Sequence, residues 1–449
     1  MRTTTSFCIA LFLLVLASFP AAAHADEDAT LADYVQRADG SYAVELVGET
    51  ELGPVTVYTV ELTSQTWQGR PWKHWLSIIV PEQLRHDAEA LLVIAGGRNG
   101  QDAPDLDRME ARLVANIAGR LGAPAAVLQQ VPNQPLFDGR REDELIAYTF
   151  DRFLDGEPTT DAAQPWPALL PMVKSAVRAM DGVRDVLHEQ RGLEIERFIV
   201  AGGSKRGWTT YLTAAIDRRV KAMAPLVFDI LDMPAQIEHQ RRSFGDVSEM
   251  IRPYTDHEVI QRMDTPRGRA LRRIVDPFHY RQRFVMPKLI VLGTNDPYWT
   301  VDAPRFYLDH LPAPTYLHYV PNAGHGLGPE AIPTLMAFLH ATFNDQSLPM
   351  LDWRHPEDDA AALHVQWDRA PGRATLYQAR SDDRDFRDAE WTATRLDGEA
   401  DRRTAEIRID PPEQGWLAYF IQVEFDPTDT TTVPYALSTP VTVLPDELP

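Results

Sequence analysis

The stretch 195-IERFIVAGGSKRGWTTYLTAAIDR-218 decides the fold. It opens with the apolar run Phe198, Ile199 and Val200, which ends in small residues as a buried strand does before a turn. Behind Lys205 and Arg206 it places Trp208, Leu212 and Ala215 at helical spacing. Between these halves lie Gly202, Gly203, Ser204 and Gly207. Strand, tight glycine turn, serine and helix, in that order, make a nucleophile elbow. Gly202 removes side-chain crowding where the backbone turns, so that the Ser204 hydroxyl stands clear of the sheet. A helix that begins at the serine favours negative charge developing there. The usual spacing is G-x-S-x-G; here Arg206 holds the second place after the serine and the glycine is delayed to Gly207. A strand end followed by a serine N-cap fits the same letters, so the rest of the chain has to discriminate.

Outward from the elbow, apolar runs alternate with amphipathic stretches. Upstream, residues 41–80 alternate in strand fashion (Val55, Val57, Thr59; Trp75, Ser77, Ile79), with Trp67 and Trp72 flanking a Gly-Arg-Pro turn. Leu91 to Ala95 reads as a strand buried on both faces, followed by a helix at about 104–120, a strand at 125–131 and a helix at 168–188. Downstream come strands at 222–228, 289–292 and 317–320 and a closing helix at 331–342. Strands alternating with helices predict a doubly wound, mostly parallel α/β sheet. Residues 132–165 and 229–285 interrupt it as insertions, the second helical and rich in charge, His and aromatics. Composition shifts near Pro349, and short alternating segments from Leu363 to Leu444, separated by turn residues, predict a β-sandwich-like domain of about 90–100 residues over 350–449.

Composition excludes several function classes. The net charge is −21, which gives no case for nucleic acid or an anionic membrane surface. Arg2, the apolar run Phe7 to Pro20 and an A-x-A site before Asp26 read as a secretory signal peptide over 1–25, cleaved after Ala25. Cys8, the only cysteine, falls inside it, so the mature chain has no disulfide. No later run is long enough to span a bilayer. Arg outnumbers Lys 39 to 5 and no N-x-[ST] site occurs, which suits a bacterial periplasmic or extracellular protein. No zinc-type His/Cys pattern or nucleotide-type glycine loop is present, so neither metal nor cofactor is expected.

A serine nucleophile needs a base, and the base an orienting acid. The strand 289–292 ends in Gly293-Thr294-Asn295-Asp296-Pro297, and the strand 317–320 ends in Pro321-Asn322-Ala323-Gly324-His325-Gly326. Both fall at the C-terminal ends of parallel strands, where such sheets gather ligands. The order Ser204, Asp296, His325 is that of hydrolases built on this elbow. Asp229 or Asp302 remains an alternative acid, and Asn-Asp-Pro is also strong turn chemistry. An oxyanion site would take the Lys205 backbone N–H and one from Gly97 or Arg98 in the turn after Leu91–Ala95. Arg206 and Trp299 are candidate substrate contacts, and Lys205 and Arg206 place positive charge beside the serine.

G-G-S-K-R-G-W-T-T with A-A-I-D-R-R-V, the early S-Q-T-W-Q-G-R-P-W-K-H-W, and M-P-K-L-I-V-L-G-T-N-D-P-Y-W resemble the PhoPQ-activated pathogenicity-related protein family, from about residue 30 to 345. The resemblance implies a secreted or periplasmic α/β-hydrolase fold with Ser204 in the S-K-R-G-W stretch and Asp296 and His325 at the matching motifs. It implies no substrate. The elbow alone is also similar to that of glucuronoyl esterases, with Lys205 in the place of their cation. Together these readings predict an extracytoplasmic serine hydrolase that acts on a small-molecule, glycan-ester or peptide substrate. The rival reading is a non-catalytic binding or signalling protein on a hydrolase scaffold, motivated by bulky Arg206 where glycine is usual. A separation of Ser204 Oγ from His325 Nε2 beyond about 4 Å would favour the rival.

Overall fold

A computed structural model describes residues 29–106, 109–156, 165–355, 362–369, 372–396, 403–427 and 434–448. The expected signal peptide lies outside the described residues. One nine-stranded sheet forms the centre, in the order β1-β2-β3-β5-β4-β6-β7-β8-β9. Its first strands, β1 (Ala43–Glu51), β2 (Val55–Trp67) and β3 (Arg70–Pro81), pair antiparallel, and β3 pairs antiparallel with β5 (Ala125–Leu128). The β2–β3 connection is a two-residue turn at Gln68–Gly69, one step earlier than the sequence suggests. Both residues have positive φ (49° and 69°), as a hairpin turn matched to strand twist requires.

From β5 onward every pair is parallel: β4 (Glu89–Ile94), β6 (Arg197–Gly203), β7 (Val220–Leu226), β8 (Lys288–Gly293) and β9 (Thr315–Val320). These strands are apolar at successive positions because helices cover both faces. Phe198 and Val200 of β6 point into one core, and Ile199 and Ala201 into the other. Helices α1 (Ala29–Gln36), α4 (Leu169–Arg191) and α5 (Lys205–Ile216) supply the first core; α2 (Met109–Leu121) and α9 (Ile332–Phe343) supply the second. This is the doubly wound α/β arrangement expected from the sequence, an α/β-hydrolase sheet.

The two insertions are helical and meet each other. The first holds α3 (Glu142–Asp155); the second holds α6 (Met233–Phe244), α7 (Arg252–Asp256) and α8 (Pro266–Val275). Tyr254 of α7 packs on Phe150 of α3 with ring centroids 6.1 Å apart, and its hydroxyl donates to Asp143 at 3.1 Å.

The C-terminal strands form two antiparallel sheets. One contains β10 (Leu351–Arg354), β11 (Ala362–Trp367) and β14 (Thr404–Arg408). The other is built on β12 (Gly372–Ser381) and β15 (Trp416–Phe425), with β13 (Thr392–Arg395), β16 (Tyr435–Ser438) and β17 (Thr442–Leu444) beside them. Leu363, Val365 and Trp367 share a core with Leu376, Ile421 and Val423 across the two sheets. This unit also covers the outer strand β9. Tyr319 N–H donates to Ser438 Oγ at 3.0 Å, and Tyr319 C=O accepts from Gln422 Nε2 at 2.9 Å. An edge that would otherwise offer unpaired backbone groups is thereby capped within the chain.

Candidate active site

Sharp β-to-α turns demand glycine where the backbones cross. A Cβ on Gly202 would lie 2.6 Å from Arg206 O, and one on Gly207 would lie 3.0 Å from Leu226 O. The delayed Gly207 therefore lets α5 settle directly on β7, and Arg206 is tolerated because its side chain leaves the turn sideways. Ser204 sits between β6 and α5 at φ 58°, ψ −128°, with its N–H donating to Leu226 O at 2.8 Å. Such a conformation costs on the order of 1–3 kcal/mol and persists only where surrounding structure imposes it.

Two loops at the ends of β8 and β9 meet this serine. His325 Nε2 lies 2.8 Å from Ser204 Oγ, and His325 Nδ1 lies 2.7 Å from Asp296 Oδ2. The other Asp296 oxygen accepts from Tyr298 N–H at 3.0 Å. With a carboxylate at Nδ1 the proton belongs there, which leaves Nε2 free to accept the serine proton. Tyr298 lies against the imidazole, ring centroids 4.3 Å apart, where an aromatic face favours a passing positive charge. Both loops can approach because Gly293 has no Cβ; one there would lie 2.3 Å from Ala323 O.

The other two aspartates are engaged elsewhere. Asp302 pairs with His239 at 2.8 Å and with Arg384 at 2.8 Å. Asp229 accepts the Tyr307 hydroxyl at 2.5 Å. Burial pushes the Asp229 carboxyl well up; the Tyr307 hydrogen bond opposes this, and the nearby Asp296 and Asp302 add to the rise.

Both cations beside the serine are paired with carboxylates of α3. Arg206, expected as a substrate contact, is 12% exposed and makes a bidentate pair with Glu142, Nη1–Oε2 at 2.9 Å and Nη2–Oε1 at 2.8 Å. Its Nε also donates to Val131 O. Lys205 is 8% exposed, with Nζ 3.0 Å from Glu142 and 3.2 Å from Asp143. The partner carboxylates stand more than 60 positions upstream on α3, which no local pattern around the elbow reveals.

Glu142 is the hub of this arrangement. Gln134 donates to its carboxylate and, at 3.0 Å, to Gly97 O, tying the 96–100 turn to the elbow. Burial raises the Glu142 carboxyl, but the Arg206 hydrogen bonds and charge, with Lys205, outweigh it and bring it down to about 2. A depressed carboxyl contributes stability above its unfolded value near 4.5, and that contribution disappears as pH falls through about 2. Glu142→Gln is therefore expected to melt below the parent at pH 5–7, with the gap closing between about pH 4.5 and 2. Thermal melts across that range check it; a pH-independent gap would show that charge is not the cause.

Of the expected oxyanion donors, the Arg98 N–H is already donated to Gln101 Oε1 at 3.0 Å. The Lys205 N–H lies in the first turn of α5, where it has no intrahelical acceptor. Gly97 is the donor left in the upstream turn. Trp299 and Ser204 both line one cavity, of about 60 Å³. The residues around it that sequence reading passed over come from the insertions, including Phe150, Ile237, Ile260 and Met263. Their only sequence signal is apolar character, in short helices for Phe150 and Ile237 and in the turns between α7 and α8 for Ile260 and Met263, which also describes ordinary packing. Among the described residues no group of three or more His, Cys, Asp or Glu side chains is placed to hold a metal, and no helix is long and apolar enough to cross a membrane.

Comparison with known proteins gives this geometry a family. The autocrine proliferation repressor protein A of Dictyostelium discoideum is 31% identical over 432 residues, 88% of this chain and 85% of that protein. Among solved structures, an acetyl xylan esterase from Paenibacillus sp. R4 superposes with a TM-score of 0.47 at 16% identity, over 70% of this chain and 92% of its own. Acetyl xylan esterase 1 from Thermoanaerobacterium sp. JW/SL YS485 gives 0.48 at 13%, over 71% and 94%. The model of the PhoPQ-activated pathogenicity-related proteins matches residues 31–387, taking in the elbow, both loops and the first part of the C-terminal sheets. The chain belongs to the PhoPQ-activated pathogenicity-related protein family.

Proposed function

We propose that this protein is an extracytoplasmic serine hydrolase that cleaves an ester or amide through Ser204, His325 and Asp296. The observation that carries the reading is the continuous row of hydrogen bonds, 2.8 Å from serine to imidazole and 2.7 Å from imidazole to carboxylate, set on a strained elbow. The rival reading asked for a serine–histidine gap beyond about 4 Å.

In the first half-reaction Ser204 Oγ attacks the substrate carbonyl while His325 Nε2 takes its proton. The tetrahedral intermediate collapses, the alkoxide or amine leaves with that proton, and an acyl-Ser204 remains. Water then attacks the acyl group, His325 again takes and returns the proton, and the free acid departs. Asp296 holds the imidazole in the required tautomer and balances its charge. The N–H groups of Lys205 and Gly97 are assigned to the oxyanion, each worth about 10²–10³ in rate. The helices of 132–165 and 229–285 act as the lid over the cavity, and the leader over 1–25 exports the chain.

Labelling of purified protein with a fluorophosphonate probe, alongside Ser204→Ala, tests the reading. Labelling that is lost in the variant is expected. A second reading rests on the 31% identity to a protein named as a proliferation repressor, and makes this chain a secreted signalling protein. Absence of label from both proteins would favour it and sink the triad.

A further inference from the structure

We propose that the cavity beside Ser204 is an acyl pocket for a short, uncharged, apolar chain, so that the substrate is an ester of a small aliphatic carboxylic acid. The inference rests on the serine-hydrolase reading and adds to it the chemistry of the group borne on the scissile carbonyl.

One wall is a continuous run of aromatic rings that ends at the catalytic base. Phe150 meets Trp208 edge-on at 5.9 Å, Trp208 stacks on Phe228 at 5.2 Å, and Phe228 meets Trp299 at 6.0 Å. Trp299 contacts Tyr298 at 5.5 Å, and Tyr298 lies 4.3 Å from His325. The Trp208 indole is fixed in this wall by its N–H bond to Val275 O. The facing wall is aliphatic, with Ile230, Met233, Ile237, Ile251, Ile260 and Met263 supplied by the helical insertion or its approach. Such a surface stabilises buried methylenes; Trp299 Nε1 is a buried donor in this lining with no partner among the described residues, while Tyr254, Asp143 and Lys205 are bonded to one another or to Glu142.

Charge points the same way. The ionic side chains lining the cavity are Asp143 and Lys205, and they pair with each other at 3.2 Å. Asp143 also accepts the Tyr254 hydroxyl, and Lys205 is held by Glu142 as well. A carboxylate-bearing acyl group would enter an apolar cavity with no free cation to meet it, at the cost of its hydration. Size sets the chain length. A cavity of about 60 Å³ admits a short group of a few heavy atoms. Acetyl underfills it, and a long fatty chain exceeds it.

The test uses the full chain with 4-nitrophenyl acetate, butanoate and dodecanoate and the anionic 4-nitrophenyl succinate monoester, with Ser204→Ala as baseline. Butanoate is expected to exceed acetate in kcat/KM by about 10-fold, from two buried methylenes, and to exceed dodecanoate and the succinate monoester by at least about 10-fold. Ile260→Ala and, independently, the half-buried Met263→Ala should raise the dodecanoate-to-butanoate ratio. A flat chain-length profile, a succinate monoester cleaved as well as butanoate, or unchanged ratios in both variants would overturn the pocket assignment while Ser204 still takes the fluorophosphonate label. Loss of that label, with wild type no faster than Ser204→Ala, would instead overturn the serine-hydrolase reading and the pocket with it.

Discussion

Replacement of Asp296 by asparagine is expected to lower kcat by about 10⁴-fold towards any ester the protein cleaves, with the fold intact. In the parent, the Asp296 carboxylate accepts from His325 Nδ1 at 2.7 Å, which keeps Nε2 available to take the Ser204 proton. An asparagine amide turned towards Nδ1 donates instead, and the imidazole proton moves to Nε2, where it faces the serine it should deprotonate. The backbone is spared, because an asparagine oxygen can still accept from Tyr298 N–H as Asp296 Oδ1 does at 3.0 Å. Single-turnover kinetics on an activated ester, with circular dichroism as the control for folding, would read the effect. A fall of less than about 10-fold would mean that another group orients His325, and Asp229 and Asp302 would have to be reconsidered.

Arg384→Ala is expected to cost about 3–5 kcal/mol of stability, because it removes one partner of a buried charge cluster. The Arg384 side chain is 2% exposed. Its guanidinium donates to Asp302 and to Ser243 Oγ at 2.8 Å each and lies 3.2 Å from His239 Nε2. Burial alone would raise the Asp302 carboxyl, but His239 and then Arg384 hold it well below the ordinary range. Truncation leaves that carboxylate buried, with Arg305, 3.5 Å away and two-fifths exposed, as partial compensation. The cluster joins a C-terminal loop (Arg384), helix α6 (His239, Ser243) and the loop that carries Asp296 (Asp302). The same C-terminal loop accepts from Asn295 Nδ2 at Arg387 O (3.0 Å) and Ala389 O (2.7 Å), and Trp391 N–H donates to Asn322 at 2.7 Å. The loops that bear Asp296 and His325 are thus tied to residues 384–391. Urea unfolding of the parent, Arg384→Ala and Arg384→Lys would measure the term, with the lysine variant intermediate because it keeps charge but not the planar fork. A loss below about 1 kcal/mol would show a hydrated, surface-like cluster.

The sequence by itself determined what depends on neighbours along the chain. Apolar runs such as Phe198–Val200 and Leu289–Leu292 announced strands buried on both faces, because a parallel sheet with helices on each side needs every position apolar. Gly202 and Gly207 around Ser204 announced the turn, since only glycine clears the backbone there. His325 stood out by its place just after a strand in a glycine turn. Tertiary structure alone chose among Asp229, Asp296 and Asp302, because all three follow strands and only the fold sets which carboxylate reaches Nδ1. It also set Arg206 against Glu142 and the Arg98 N–H against Gln101. It brought residues of both insertions together with the elbow, α5 and the Tyr298–Trp299 segment around one cavity, and anchored the Asp296 and His325 loops on residues about 70–90 positions further on. Those pairings join side chains whose sequence separation exceeds the reach of any periodicity, and they exist only once the sheet has brought the loops to one edge.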